Sequence, residues 1–473
     1  MKPNPFQREL ISLLGSFGVL WRAEDLMLYE YDALSSQRVP DAVVFPTTTE
    51  QVVQIVKLTA QENIPVIARG AGTGLSGGAV VTAGGVVVSL ARMKRILEID
   101  LENQRARVQP GVVNLDLSLA VADRGYYFAP DPSSQRACTI GGNVAENSGG
   151  PHTLAYGVTT NHVLGLEVVL PNGDVITTGA GFWGRPGYDL TGVMVGSEGT
   201  LGIVTEITAR LMRRPEEVKT LLAIYDRVLD ATRTVAAITA RGITPAALEM
   251  MDGFTLRAIE DATHAGYPMD SAAVLLIEIE GLVEAVEEEA GQIEAVAKDC
   301  GAREVRRAKS AEERDLLWRG RKNAFGALGR ISPNFYVQDG VIPRTRLPEM
   351  LEYIEEVSRR YRLRVGNIFH AGDGNLHPLL MFDARDKTQS KNVVLAAQEI
   401  IAKCVEMGGS ITGEHGVGME KNELMPLLFS ADDLEMMGRI KKVFNPKGSF
   451  NPGKVFPSGK VCGELRVQVS TGN

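Results

Sequence analysis

Apolar residues along this chain recur with two different rhythms, and the change between them divides the sequence. Residues 1–30 pattern as an amphipathic helix with a cap, and Val43-Val44-Phe45 reads as a short strand. Thr47 to Thr49, followed by Glu50, form a helix start with a hydroxyl cap and an acidic first turn. Val52, Val53, Ile55, Val56 and Leu58 supply that helix with an apolar face, and Pro65-Val66-Ile67-Ala68 reads as the next strand. From 84 to 112 strand signals dominate: GGVVVSL, then a hairpin turning at Glu102-Asn103 with alternation on both sides. Residues 112–126 pattern as a helix, and 130–160 as one long Gly, Pro and Asn loop, a length that usually means function. Strands return at 163–178, around the Pro171-Asn172-Gly173-Asp174 turn, and at 201–213.

After Arg213-Arg214-Pro215 strands and helices alternate. LLAIYD, AALEM and VLLIEIEG are followed by helices over 228–241, 253–264 and 283–299. Then come a helix over 310–329, a strand over 335–342, a helix over 345–361, strands over 364–370 and 376–382, and a helix over 386–407. A Gly-rich turn fills 408–418, and the chain closes on a helix, a loop and a peripheral tail after Pro457. The glutamates of 283–299 read as a solvated face. The pattern predicts an α+β protein in three segments, 1–215, 216–420 and 421–473, the last returning to the first.

Composition narrows the function. The 473 residues are 44% hydrophobic and 23% charged, which excludes a disordered chain. A net charge of -8 with no basic stripe argues against nucleic acid as a partner. No window reaches the ~18 uninterrupted apolar residues of a membrane span, and MKPNPFQRELISLLG lacks a signal-peptide core, so a cytoplasmic location is expected. Cys138, Cys300, Cys404 and Cys462 lie far apart with no CxxC, which offers neither a zinc ribbon nor an iron–sulfur cluster. Fifty glycines, roughly a tenth of the chain against about 7% on average, suggest backbone packed against a large ligand.

Those glycines cluster. Arg69-Gly-Ala-Gly-Thr-Gly-Leu-Ser-Gly-Gly78 follows a strand and is dense enough for backbone N–H groups to cradle phosphates. It is no nicotinamide fingerprint, because Leu75 stands where a third small residue is needed and a strand follows; no GK[ST] makes it a Walker loop either. A tight structural loop reads the same way. Pro130-Asp-Pro-Ser-Ser134 with Cys138-Thr-Ile-Gly-Gly-Asn-Val-Ala-Glu-Asn-Ser-Gly-Gly150 offers donors for an extended polar ligand, and Gly196-Ser-Glu-Gly-Thr-Leu-Gly-Ile-Val204 opens a strand.

In this order the three loops resemble the FAD domain of the vanillyl-alcohol-oxidase/p-cresol-methylhydroxylase superfamily. The resemblance covers nearly the whole chain and is strongest to the branch of glycolate oxidase flavin subunits and D-lactate and D-2-hydroxyglutarate dehydrogenases. It implies that Arg69, Gly70, Gly72, Thr73, Gly74 and Ser76 hold the FAD pyrophosphate. It implies that Pro130, Ser133, Gly141, Gly142, Asn143, Asn147 and Ser148 lie near the isoalloxazine. Glu198, Gly202, Ile203 and Val204 would fall near the adenine and ribose, and Asn451 would return to the flavin. No His occurs between 65 and 85, so the FAD is expected to be non-covalent.

Chemistry gathers in two glycine-framed motifs, His370-Ala-Gly-Asp-Gly-Asn-Leu-His377 and Gly413-Glu-His-Gly-Val-Gly418. A hairpin that size brings both imidazoles to one side, and Glu414 completes a His₂Glu set with positions left open, the pattern of a catalytic divalent metal site. Zinc, iron and manganese all suit it. His415, next to a ligand, is left free as a base. The same spacing also suits turn-stabilising histidines; the resemblance implies ligands and base.

Trp318-Arg-Gly-Arg-Lys-Asn323 sits on a helix of the same segment, and a carboxylate substrate needs a fixed guanidinium. The resemblance points to Arg319, although helix arginines are often surface residues. Asn323 and Gln338 stand where the 2-hydroxyglutarate branch carries a Thr and a Lys, which favours a small monoacid. His152 and His162 border the flavin loop, where a place over the flavin and a structural role are both open, and His264 reads as a surface residue.

The expected reaction is oxidation of a small D-2-hydroxy acid, glycolate or D-lactate, to the 2-oxo acid. A D-2-hydroxyglutarate-type dehydrogenase, an aryl-alcohol or sugar oxidase of the same superfamily, and a non-catalytic flavin-holding subunit of a larger complex are the alternatives. The cysteine pattern offers no second redox centre, which leaves oxygen, a quinone-type acceptor or a partner protein to take the electrons. The resemblance to multi-subunit glycolate oxidases implies an iron–sulfur partner subunit, with an electron-transferring flavoprotein as second choice, and through the partner an association with the inner face of a membrane.

Overall fold

The computed structural model describes residues 2–34, 38–179 and 187–458. The tail from 459 on, expected to be peripheral, lies outside them.

Two sheets build the N-terminal part. The first has four strands in the order Val19–Leu20, Ala42–Val44, Val86–Ser89, Val66–Arg69, the last three parallel. The helix Thr49–Gln61, capped by the Thr48 hydroxyl, connects Ala42–Val44 to Val66–Arg69 and buries Val52, Ile55 and Val56. The second is an antiparallel five-stranded sheet in the order Ile96–Asp100, Arg105–Val108, Ile203–Arg210, Val163–Val169, Val175–Gly179. Ile203–Arg210 alternates buried and half-buried positions, as expected of a sheet with one face on the core.

The rest of the chain folds around an antiparallel nine-stranded sheet whose core order is Glu304–Arg307, Glu217–Tyr225, Ala273–Gly281, Ala247–Asp252, Arg364–His370. Helices cover both faces, which explains the unbroken apolar runs. Leu221, Ala223 and Tyr225 pack on Val228–Ala240, Val283–Asp299, Leu347–Tyr361 and Lys387–Glu406. Leu222 and Ile224, pointing the other way, pack on Gly253–Thr263, Ala311–Lys322 and Ala324–Gly329.

The chain then returns. Phe450 is buried against the first sheet, and Val66 N–H bonds the Ser449 carbonyl while Asn451 N–H bonds the Val66 carbonyl. Lys454 buries its ammonium on the carbonyls of Gly77 and Val80. This segment is tied to the strand Val66–Arg69 by its backbone and to the glycine loop by its side chains.

Four local departures from the pattern have physical causes. The 130–160 loop contains helices Ile140–Glu146 and Thr153–Tyr156, the first capped by Thr139 on the Gly142 N–H; its glycines hide the helix in the sequence. The helix expected over 310–329 breaks at Asn323 into Ala311–Lys322 and Ala324–Gly329. The strand expected over 335–342 splits into Asn334–Val337 and Gly340–Val341, between which Asp339 turns fully inward. Glu304–Arg307 is an edge strand whose charged sequence carries no strand alternation.

Candidate active site

A cavity of about 430 Å³ lies between the N-terminal sheets and the nine-stranded sheet with its helices. One wall is the glycine loop: Arg69, Gly70, Gly72, Thr73 and Gly74 line it. Gly72 has φ +73°, and a Cβ there would come within 2.1 Å of the Arg69 Nη2, so the loop closes on the guanidinium only because this residue is glycine. A second wall is Ser133, Gly141, Gly142, Asn143 and Ser148, where Asn143 donates to the Ser148 hydroxyl at 3.2 Å and receives Asn114 at 3.0 Å. At Gly74 and Gly199 an added Cβ would meet nothing nearer than 3.8 Å, so both leave open wall.

The third wall carries the histidines. His370 ends the strand Arg364–His370, and after a tight turn His377 follows Asn375–Leu376. Their Nε2 atoms each lie 3.0 Å from Glu414 Oε1, with the rings 5.1 Å apart and crossed at 88°. The far nitrogens are held from behind: His370 Nδ1 lies 2.7 Å from Glu249 Oε1 and His377 Nδ1 3.2 Å from the Gln338 carbonyl. That anchoring fixes both rings with Nε2 forward, the arrangement that metal-binding imidazoles require. Both imidazoles are buried, and the Glu414 side chain is 11% exposed. Burial works against the charged forms, yet the neighbouring carboxylates hold His370 well above the usual imidazole range, and the two imidazoles hold Glu414 well below the carboxylate range.

Asp339 positions Glu414 and His415. Its carboxylate accepts the backbone N–H of Gly413 at 3.1 Å, of Glu414 at 3.2 Å and of His415 at 2.9 Å, together with the Thr412 hydroxyl. Burial disfavours that carboxylate, but His415 and Lys421 more than offset it and keep its pKa at about 2. His415 stacks on His377, 4.9 Å away and 5° from parallel, with Nδ1 unbonded and 4.0 Å from Asp339 Oδ2. Burial lowers its pKa to about 4, which leaves a neutral imidazole on the cavity wall.

Arg319 is corrected by the structure. Its side chain is exposed and does not reach the cavity; Arg321 and Lys322 do. Positions two apart on a helix point about 200° apart, so only one of the two arginines faces inward. Arg321 is buried and grips Glu249 Oε2 with Nε at 2.8 Å and Nη2 at 2.5 Å. Glu249, a buried acid in the strand Ala247–Asp252, therefore ties this arginine to His370.

Other residues expected near the cofactor make hydrogen bonds or packing contacts within the protein. Ser76 is wholly buried and donates its hydroxyl to Glu146. Asn147 caps its helix at φ 53° and accepts the Thr160 N–H, and Pro130 accepts Asn114 through its carbonyl. Gly202 packs on Val168, while Ile203 and Val204 belong to the five-stranded sheet; none of them lines the cavity. Glu198 lines it, and its two carboxylate oxygens accept the N–H groups of Val417 and Gly418, at 2.7 and 2.6 Å, which strap the His415 loop to the glycine loops. Asn451 donates to the carbonyls of Gly78 and Glu198 and keeps a buried, unpaired Oδ1. Asn323 is exposed and Gln338 is turned to Glu420; Phe325 and Phe335 line the cavity instead. His162 is buried on the Tyr156 carbonyl, His264 caps a helix at the surface, and His152 lies outside the cavity wall.

Two family models match the chain: "FAD binding domain" over 40–179 and "FAD linked oxidases, C-terminal domain" over 214–455. The chain belongs to the FAD-linked oxidases and is an FAD-binding oxidoreductase. It is 47% identical over 448 residues to glycolate oxidase subunit GlcD of Escherichia coli K12, covering 94% of this chain and 90% of that protein. It is 34% identical over 425 residues to D-lactate dehydrogenase of Anaerostipes hadrus, covering 88% and 89%. In architecture it is similar to p-cresol methylhydroxylase with substrate bound, with a TM-score of 0.82 at 19% identity over 95% and 96% of the two chains. The fold is thus of the p-cresol-methylhydroxylase type, α+β.

The residues fit both groups the family and motifs imply. The open wall at Gly74 and Gly199, with Arg69 behind it, suits an anionic pyrophosphate. His370, His377 and Glu414 offer two nitrogens and an oxygen within 4.8 Å of one another, a donor set for a divalent metal.

Proposed function

We propose that this chain oxidises a small D-2-hydroxy acid, glycolate or D-lactate, to the 2-oxo acid. One observation carries the reading: the glycine loops of the FAD-binding part and the His370–His377–Glu414–His415 group line a single cavity, with Arg321 beside them. The names of the relatives, a glycolate oxidase subunit and a D-lactate dehydrogenase, agree with it.

Bound FAD supplies the two-electron sink for the hydride that leaves the alcohol carbon. A divalent metal, whether zinc, iron or manganese, on His370, His377 and Glu414 supplies Lewis acidity to the substrate hydroxyl. Arg321 holds the substrate carboxylate in place of Arg319; Glu249 fixes its guanidinium from behind. His415 accepts the hydroxyl proton at Nε2, because its Nδ1 is turned toward Asp339. Arg69, Gly70, Gly72, Thr73, Gly74, Gly141, Gly142, Asn143 and Ser148 contact the cofactor, and Ser76, Asn147, Glu198 and Asn451 hold those loops in shape.

The substrate's side chain is small. Phe325 and Phe335, stacked 6.0 Å apart, line the cavity with Val337 and give it an apolar wall unsuited to a second carboxylate. The electrons pass to a partner subunit carrying iron–sulfur clusters, or to an electron-transferring flavoprotein. The relatives named "subunit" support a partner, and Cys138, Cys300 and Cys404, the free cysteines among the described residues, form no cluster site. No helix among the described residues is long and apolar enough to cross a membrane.

Turnover of glycolate, D-lactate, L-lactate and D-2-hydroxyglutarate with an artificial dye tests the reading. Activity on the first two, with little on the last two, supports it. Activity confined to alkylphenols or sugars contradicts it.

A further inference from the structure

His152 contributes nothing to the cavity wall, yet it sits at the centre of a buried network that ends there. Its Nδ1 lies 3.0 Å from Asp131 Oδ2, and its Nε2 lies 3.0 Å from Glu278 Oε1 and 3.9 Å from Glu280 Oε1. Asp131 and His152 come from the loop beside the FAD-binding sheet; Glu278 and Glu280 come from the nine-stranded sheet. With a carboxylate at each nitrogen, the ring is a donor on both sides, an imidazolium bridging the two parts. Burial alone would discharge it, but Asp131 and Glu278 outweigh burial and hold it charged.

The far side of each acid is also fixed. Glu278 Oε2 receives the Thr220 hydroxyl at 2.9 Å and the Trp318 indole N–H, and Glu280 Oε2 receives the Tyr156 hydroxyl at 2.6 Å. The Trp318 indole lies 5.7 Å from the imidazole. Both ring nitrogens are thus held on fixed carboxylates.

Asp131 Oδ2, the atom His152 holds, lies 3.4 Å from Lys322 Nζ. Lys322 lines the cavity next to Arg321. The two cations differ. Arg321 has two donors committed to Glu249 at 2.8 and 2.5 Å, whereas Lys322 has one long contact to an oxygen already shared with His152. The lysine, which has three N–H donors and this one long contact, therefore keeps donors free for a ligand at the cavity.

We propose that Lys322 is a second cation receiving the substrate carboxylate beside Arg321, and that Glu278–His152–Asp131 is the relay that positions it. This rests on the hydroxy-acid reading above. His152 acts only through Asp131 and Lys322, as a positioning residue.

A double-mutant cycle on the FAD-loaded, metal-loaded protein tests it, with Lys322→Met, Lys322→Arg, His152→Gln and Lys322→Met/His152→Gln. The readouts are the Kd of oxalate, from its perturbation of the flavin spectrum, the KM and kcat for glycolate, and FAD content. Lys322→Met is expected to raise both Kd and KM roughly tenfold or more, the scale of a charge-assisted hydrogen bond, and to change kcat less. Lys322→Arg restores most of the affinity. His152→Gln shifts the same quantities in the same direction, and the double variant is no worse than Lys322→Met alone. An unchanged oxalate Kd in Lys322→Met overturns the carboxylate role. Multiplying effects in the double variant, or loss of FAD from His152→Gln, overturn the relay and leave His152 a structural pin. If the unsubstituted protein neither turns over glycolate nor binds oxalate, the functional reading itself has failed, a result distinct from these.

Discussion

Glu249 holds Arg321 and His370 with its two oxygens, Oε2 receiving the guanidinium at 2.8 and 2.5 Å and Oε1 facing His370 Nδ1 at 2.7 Å. The cation proposed for the substrate and the imidazole proposed for the metal thus share one buried anchor. Burial disfavours the Glu249 carboxylate, but Arg321 and His370 outweigh it and keep it charged. Glu249→Ala leaves the guanidinium buried without its counter-charge, so a loss of about 3–5 kcal/mol in unfolding free energy is expected. Denaturant unfolding measures it. Glu249→Gln keeps the shape and is expected to lower metal affinity about 10- to 100-fold, read by metal analysis after dialysis against a chelator.

His370→Ala and His377→Ala are expected to remove the metal and nearly all turnover while FAD stays bound. The glycine loops are secured by Asn451, Lys454 and Glu198, none of which touches either ring. Metal content and flavin absorbance on one sample decide it; joint loss of both would make these histidines structural.

His415→Ala separates base from metal. The metal is expected to remain, and the rate of flavin reduction to fall by roughly 10²-fold or more. Single-turnover mixing without oxygen gives that rate, and an unaltered value removes His415 from the proton transfer.

Arg319→Ala and Arg321→Ala form a paired test of helix phase. The exposed Arg319 is expected to shift the KM for glycolate by less than about threefold, and Arg321 by about 10- to 150-fold. The reverse order would return the carboxylate clamp to Arg319.

The FAD is expected to come away in acid. No histidine or cysteine lies among residues 65–85, and Cys138, on the cavity wall, has its thiol pushed up by burial and is a poor nucleophile for a tether. Yellow colour kept in the acid pellet would overturn this.

Much of the site was legible in the sequence because its motifs are rare: six histidines in the chain, three of them framed by glycine at 370, 377 and 415. Sheet segments were legible where apolar residues alternate or run unbroken between two helical layers. The inward arginine was also within reach. Leu317, Trp318 and Arg321 share one stripe of the helix and Arg319 falls outside it, so the phase of the buried residues pointed to Arg321. Glu249 and Asp339 left fainter marks, single acids inside apolar strand sequences, where a buried charge needs a partner that sequence cannot name. A loop's glycines and polar groups, Glu198 and Asn147 among them, look alike in sequence whether they touch a ligand or brace a neighbouring loop. The helix Ile140–Glu146 was hidden for the same reason, its glycines outweighing its cap.

The proposed 2-hydroxy-acid oxidation requires that one cavity join the flavin to the His370–His377–Glu414 cluster. Mixing the FAD-loaded, metal-loaded protein with glycolate or D-lactate in the absence of oxygen tests it most directly. The expected result is bleaching of the flavin with one 2-oxo acid formed per flavin, lost when the metal is stripped and restored when it is returned. A flavin that stays oxidised with both acids, or bleaches equally well without metal, would contradict it.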